Sequence, residues 1–207
     1  MTCEQIERFV AESIARGIRW DRIRLLGGEP TLHPELLAIL SMLRAYRDEH
    51  SPSTRLEIAT NGYGRRVRRV LAGLPPDVIV IDTRKTGRVQ PGFRTFNVAP
   101  QDLMSYRWAD YRNGCWIIEK CGTGLGPSGY YPCAIAAGID RIVGYDAGRR
   151  RLPDDADSLE DQLARFCRLC GHFKQTRDAA VLGPVQSRSW RDAYARYRAT
   201  PPRLTRY

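Results

Sequence analysis

The sequence predicts an α/β protein followed by a small cysteine-rich, metal-binding domain. Over residues 1–82, short apolar runs alternate with longer runs in which apolar residues recur at helical spacing. Glycine-rich turns follow two of the predicted strands. Five of the six cysteines lie within residues 115–170. These observations divide the chain into a region of strands joined by helices and a second region that contains most of the thiols.

Composition indicates a soluble globular protein without a membrane partner. The chain has 207 residues, of which 43% are hydrophobic and 27% charged, as is usual for globular domains. No apolar stretch is long enough to span a bilayer, and the amino terminus lacks a basic segment followed by an apolar one. We therefore expect a cytoplasmic location.

The formal net charge of +10 comes almost entirely from arginine. Local runs occur at residues 65–69 and 149–151, and neither is interleaved with the aromatic side chains that bind single-stranded nucleic acid. We therefore do not expect nucleic acid as a partner. The charge favours an acidic partner or substrate.

The first region reads as alternating helices and strands. Thr2 and Gln5 have the spacing of a capping box and predict a helix at the amino terminus that Gly17 ends. Periodicity and turn residues predict four strands and two further helices. The strands are 22–26, 54–60, 77–82 and 95–98, and the helices are 33–50 and 65–74. Strands separated by helices predict parallel pairing with right-handed crossovers.

The stretch after the first of these strands has the character of a binding site. Gly27 and Gly28 stand at the carboxyl end of strand 22–26, where the absence of a Cβ lets a ligand approach the backbone. Glycine carbonyls and the Glu29 carboxylate are acceptors that an ammonium group needs. Pro30 stiffens the loop, and Asn61 occupies the corresponding end of the next strand.

The string GGEPTLHPE from Gly27 to Glu35 closely resembles the second-strand signature of radical SAM enzymes. The resemblance implies a partial (β/α) barrel of the radical SAM type and a site for S-adenosyl-L-methionine. It implies the following cofactor-binding residues: Gly27, Gly28, Glu29, Pro30 and Asn61. It identifies no catalytic residue.

The family's cluster-binding Cys-x3-Cys-x2-Cys loop has no counterpart in this sequence. That loop follows the first barrel strand in the family, and here no strand is predicted before the amino-terminal helix. Cys3 has no partner at the required spacing and is not expected to be a ligand. We therefore expect an amino-terminally incomplete member of the family that does not cleave S-adenosylmethionine by itself.

In a cytosolic chain the clustered cysteines favour metal over disulfides, because that compartment keeps thiols reduced. Cys167 and Cys170 stand two residues apart and can hold one metal from a single turn. Two short β-like runs are predicted at 116–119 and 129–131. Cys121 and Cys133, joined through a glycine-rich segment, are expected to approach as the two ends of a hairpin. The preferred ligands are therefore Cys121, Cys133, Cys167 and Cys170, with Cys115 as the first substitute. For His172, just past Cys170, three alternatives are open: a metal ligand, a hydrogen-bond donor to a ligand, or a structural residue with neither role.

Cys121, the GYYPC turn that ends at Cys133 and the distant Cys-x2-Cys resemble the SPASM and twitch auxiliary-cluster domains of radical SAM enzymes. The resemblance implies one auxiliary 4Fe-4S cluster. Zinc suits four thiolates equally well by count and is the alternative metal. The expected domains are residues 1–112, 113–175 and an Arg-rich tail at 176–207.

The favoured hypothesis is a radical SAM protein that modifies an unidentified substrate when complete. Peptides are the substrates suggested by analogy with auxiliary-cluster enzymes. The alternative is a non-catalytic, metal-stabilised binding module with Arg-rich surfaces that hold an acidic partner.

Overall fold

The computed structural model describes residues 1–87, 92–93, 97–173, 181–182 and 186–207. The chain forms two compact units, Met1–Gln90 and Pro91–Tyr207. No helix within the described ranges is long and apolar enough to cross a membrane.

The first unit alternates helices with strands, as the periodicity predicts. Its elements are α1 (Cys3–Ala15), β1 (Arg22–Leu25), α2 (Leu36–His50), β2 (Arg55–Thr60), α3 (Arg65–Ala72) and β3 (Ile79–Asp82), with a 3-10 turn at Pro30–Leu32. The predicted capping box is present: Thr2 Oγ1 accepts from Gln5 N–H, and Gln5 Oε1 accepts from Thr2 N–H.

The three strands form a parallel sheet in the order β1-β2-β3. The expected partial barrel is therefore wrong, because the sheet of this unit is open and has only three strands in the part of the chain that the structure describes. A short motif specifies its own strand, loop and helix. It does not specify how many strands follow, and closure of a parallel barrel requires about eight.

Two helices cover one face of this sheet. Leu36 and Leu40 of α2 pack with Ile58 of β2 and Val78, and Val70 of α3 packs against the same cluster. Side chains alternate along a strand, so Glu57 points to the opposite face from Ile58. There the Glu57 carboxylate accepts from Arg24 Nε at 2.7 Å, across the β1–β2 pair.

The second unit is mixed. Its elements are β4 (Gly92–Phe93), α4 (Trp116–Cys121), β5 (Gly124–Gly126), β6 (Gly129–Tyr131), α5 (Ala134–Val143), α6 (Glu160–Phe166), β7 (Val181–Leu182) and α7 (Arg188–Ala199), with 3-10 turns at Pro100–Asp102, Met104–Tyr106, Tyr111–Asn113 and Gly171–Phe173. Strand β4 pairs antiparallel with β7, and β5 pairs antiparallel with β6.

The prediction of a β-run at residues 116–119 is wrong, because these residues lie in α4. Its two isoleucines have high β-propensity, but Ile117 is buried on one side of a short helix, so packing overrides propensity. The β-run at 129–131 is confirmed as β6. Helix α5 was not predicted, and residues 95 and 96 of the predicted strand 95–98 lie outside the described residues.

The core of the second unit lies between its helices. Tyr131, Ile139, Phe166 and Trp190 are almost fully buried in one cluster. The Trp190 indole N–H donates to the Leu169 carbonyl at 2.7 Å, so a polar atom inside the core is satisfied. This contact fixes α7 against the turn that carries the Cys-x2-Cys pair.

Candidate functional site

The loop after β1 is organised by the carboxylate of Glu29. Its Oε1 accepts from Thr31 N–H at 3.2 Å, from Thr31 Oγ1 at 2.7 Å and from Thr60 Oγ1 at 2.8 Å. Its Oε2 accepts from the backbone N–H of Asn61 at 2.8 Å. A carboxylate offers about four lone-pair sites, so these donors occupy it and join the carboxyl ends of β1 and β2.

These donors also keep Glu29 ionised. Partial burial raises the pKa of Glu29, but the hydrogen bonds from Asn61, Thr31 and Thr60 outweigh it and hold the pKa below its usual value. The sequence suggested Glu29 as an acceptor for a ligand's ammonium. In the structure its carboxylate is instead engaged in positioning the two loops. Thr31 and Thr60 were not among the residues predicted for this site. A hydroxyl near a strand end, close to a partly buried carboxylate, is the pattern that would predict their hydrogen bonds to Glu29.

The glycine pair is open to solvent. A Cβ built on Gly27 or Gly28 meets no atom within 4 Å, and neither glycine has a positive φ. Packing within the unit therefore does not require glycine at either position. Gly62 differs, since its φ is 64° and an added Cβ would lie 2.5 Å from Asp82 Oδ1.

Asn61 lies beside Glu29, as its place at the strand end predicts. Its side-chain oxygen accepts from Tyr63 N–H at 2.8 Å, and its carbonyl accepts from Lys85 N–H at 2.9 Å. Its side-chain NH2 group has no hydrogen-bond partner among the described residues. That group is available to a ligand at the edge where the glycine pair is exposed.

Four thiols of the second unit line one cavity. The wall contains Cys115, Cys133, Cys167, Cys170 and His172, together with Ile117, Ile118, Pro132, Ile135, Ala136, Ile139, Leu163, Phe166 and Phe173. All remaining wall residues are therefore aliphatic or aromatic. Three separate segments of the chain supply the sulfurs to an otherwise apolar space.

Local structure places each thiol. Cys115 is the residue before α4, and Cys133 is the residue before α5. Cys167 ends α6, and Cys170 directly precedes the turn at Gly171–Phe173. The β5–β6 hairpin delivers Cys133, because Gly124 lets β5 contact its backbone so closely that an added Cβ would lie 2.5 Å from the Cys133 carbonyl carbon.

Burial raises the pKa of Cys115, of Cys133 and of Cys170, the last to about 12, and the backbone N–H groups of the following turn act against that rise. Neither Cys115 nor Cys133 makes a side-chain cap hydrogen bond to the helix that it precedes. The N–H groups of Ile118 and Phe173 donate instead to the carbonyl oxygens of Cys115 and Cys170, each at 3.0 Å. The thiolate is the form that binds metal.

The thiols also oppose one another's ionisation. Burial raises the pKa of Cys167 well above its usual range, and the nearby charges of Cys115, Cys170 and Cys133 raise it further. Four thiolates in an apolar cavity are therefore unfavourable unless a cation compensates their charge. Without a cation the four sulfurs are therefore protonated thiols, and a positively charged metal group bound there would stabilise the thiolate form.

Cys121, one of the preferred ligands, lies outside this wall. It is exposed at the carboxyl end of α4, although its charge is close enough to raise the pKa of Cys115 and of Cys133. The structure puts Cys115, the substitute, into the wall in its place. Cys115 directly precedes α4, and Ile117 and Ile118 of that helix belong to the same cavity wall.

The thiols surround the cavity without meeting at one point. In the described part of the chain, no three His, Cys, Asp or Glu side chains form a ready site for a single metal ion. His172 adjoins one of the sulfurs, with Nδ1 3.6 Å from Cys170 Sγ. Cys3 lies in α1 of the first unit.

No protein-family model matches the chain, and no curated protein or solved structure is detectably similar to it. The functional argument therefore stands on the two sites themselves.

Proposed function

We propose that the second unit binds a 4Fe-4S cluster through Cys115, Cys133, Cys167 and Cys170. The observation that carries this proposal is that four thiols line one otherwise apolar cavity. Exclusion of solvent and hydrogen bonds to the sulfurs, such as that between Cys170 and His172, are means by which proteins tune such clusters.

Sulfurs spread around a cavity favour a cluster over zinc. In a 4Fe-4S cluster each cysteine binds a different iron, so the four sulfurs surround a group of atoms. A structural zinc ion instead requires four sulfurs about 2.3 Å from one point. Cys115, Cys133, Cys167 and Cys170 line one cavity, and no three His, Cys, Asp or Glu side chains of the described residues form a site for a single metal ion, which supports the cluster in preference to zinc.

The first unit is proposed to hold S-adenosylmethionine at the exposed loop after β1, as a radical SAM protein does. The carbonyls of Gly27 and Gly28 would accept from the methionyl ammonium, and the side-chain NH2 of Asn61 would donate to the cofactor's carboxylate or ribose. Glu29 holds the two loops in place. In a complete enzyme the bound cofactor would supply a carbon-centred radical; this sequence has no Cys-x3-Cys-x2-Cys loop, and we expect it to bind the cofactor without cleaving it.

Metal analysis of single variants tests the cluster. The full chain, prepared without oxygen and reconstituted with iron and sulfide, should contain both in near-equal amounts. Cys133→Ser or Cys170→Ser should lose most of both, whereas Cys3→Ser and Cys121→Ser are matched controls that should keep them. Two results would contradict the assignment. One is stoichiometric zinc without sulfide in the unmodified chain. The other is a loss of iron and sulfide in Cys121→Ser as large as the loss in a Cys115→Ser variant.

A second candidate function, binding of an acidic partner, is favoured by helix α3. Arg65, Arg66, Arg68 and Arg69 are exposed on this helix, and none of them has an ion-pair partner among the described residues. Only Val67 of the helix is buried. If this function applies, polyglutamate should bind the chain in a salt-dependent manner, and reversing Arg66 and Arg69 to Glu should weaken that binding more than reversing the ion-paired Arg112 does.

A further inference from the structure

His172 is the only imidazole in the cavity wall among the described residues. It follows the Cys-x2-Cys pair by two residues, and its Nδ1 lies 3.6 Å from Cys170 Sγ, within hydrogen-bonding distance for sulfur. The turn at Gly171–Phe173 fixes this approach, since Phe173 N–H donates to the Cys170 carbonyl at 3.0 Å.

We infer that His172 is a positioning residue that donates its Nδ1–H to the sulfur of Cys170, and thereby raises the reduction potential of the cluster. This inference rests on the proposed cluster. A metal-bound thiolate carries no proton and can only accept, so the shared hydrogen must reside on Nδ1. Binding of iron by Cys170 therefore selects one tautomer of His172.

Among the described residues, His172 is the one side chain within hydrogen-bonding distance of a sulfur in the cavity wall. Cys115 and Cys133 make no side-chain cap hydrogen bond to the helices that they precede. Reduction adds negative charge to the cluster, and donors to sulfur stabilise that charge. The hydrogen bond from His172 to the Cys170 sulfur therefore stabilises the reduced state of the proposed cluster.

Three variants test the role of His172. His172→Ala removes the donor, His172→Gln retains a side-chain N–H that can reach the sulfur, and His50→Ala makes the same change at an exposed histidine of the first unit. Each full-length chain is reconstituted with iron and sulfide without oxygen. Iron and sulfide are then quantified, and the midpoint potential is measured by an EPR-monitored redox titration.

We expect His172→Ala to keep the iron and sulfide content of the unmodified chain and to shift the midpoint to a more negative potential. His172→Gln should recover part of that shift, and His50→Ala should have none. An unchanged midpoint in His172→Ala would overturn the inference. So would a loss of iron as large as in Cys170→Ser, because His172 would then be a ligand and not a donor. Absence of iron and sulfide from the unmodified chain would instead refute the proposed cluster itself.

Discussion

The backbone N–H of Asn61 donates to Oε2 of Glu29 at 2.8 Å and joins two loops that lie 32 residues apart in the sequence. The same carboxylate accepts from Thr60 Oγ1, the last residue of β2. The ends of neighbouring parallel strands are thus connected by one side chain. This connection, together with the exposed glycine pair, shapes the edge at which a cofactor is proposed to bind.

Glu29→Gln should destabilise the first unit. The substitution replaces one acceptor oxygen by an NH2 group that faces donors, so at least one buried N–H or hydroxyl loses its partner, at a cost of about 1–3 kcal/mol. Urea unfolding at neutral pH measures the free energy of unfolding. Glu7→Gln is the control, because Glu7 is exposed. Equal stability of the two variants would contradict the proposed role of Glu29.

Glu29 should also contribute to acid sensitivity. Its pKa is lowered in the folded state, so its stabilisation is fully present above the unfolded-state pKa, near 4.3, and is lost as the pH falls through the lower folded-state value. Between neutral pH and pH 3, Glu29→Gln should therefore lose less stability than the unmodified chain. The measurement is urea unfolding across this range. If the free energies of unfolding of Glu29→Gln and of the unmodified chain fell by the same amount over this range, Glu29 would not be the responsible group.

Gly28→Val should leave the fold intact and remove binding of S-adenosylmethionine. An added Cβ at Gly28 meets no atom of the protein within 4 Å, so any obstruction falls on the ligand. Isothermal titration calorimetry compares the variant with the unmodified chain. The contrasting variant is Gly62→Val, which should unfold more easily because its φ is positive and Asp82 blocks the side chain. Equal binding by Gly28→Val and the unmodified chain would mean that the glycine pair is only a turn.

Gly124→Ala should lower cluster loading. The added methyl group would lie 2.5 Å from the backbone N of Ala134, which displaces β5 or Cys133 from the cavity wall. Gly138→Ala is the matched control, because its Cβ meets nothing within 4 Å and Ala is favoured in a helix by about 1 kcal/mol. Iron and sulfide content is the readout. Full loading of Gly124→Ala would show that the close approach does not position Cys133.

Removal of metal should loosen the second unit. The proposed cluster would link Cys115 and Cys133, which directly precede α4 and α5, to the Cys-x2-Cys turn, so its loss would remove the bonds that hold these segments together. Limited proteolysis followed by mass spectrometry should map faster cleavage to residues 115–143 in metal-free protein. The control is the cleavage rate within residues 1–87. Identical patterns with and without metal would contradict a structural role for the cluster.

Local patterns in the sequence predicted local structure well. The capping box at Thr2 and the glycine turn after β1 depend on residues only a few positions apart, so their geometry can be read from the sequence. The number of strands in the sheet depends on the whole chain. That is why a resemblance limited to residues 27–35 led to the wrong expectation of a partial barrel.

The choice between Cys115 and Cys121 shows the same limit at the site. Spacing favoured Cys121, because the glycine-rich segment between Cys121 and Cys133 predicts a hairpin with these two cysteines at its ends. In the structure Cys121 ends α4 and is exposed, whereas Cys115 directly precedes that helix. Packing of Ile117 and Ile118 in the cavity wall therefore decides which thiol lines the cavity. The β-propensity of single residues does not predict such packing.

Tyr207 belongs to the interior of the second unit and is connected to the cavity wall through the β5–β6 hairpin. Tyr207 is 4% exposed, its hydroxyl lies 2.8 Å from the Tyr130 hydroxyl, and its N–H donates to the Pro127 carbonyl. Both contacts are made to the hairpin, which leads directly to Cys133. A substitution at Tyr207 would therefore act on the position of Cys133 from outside the cavity wall.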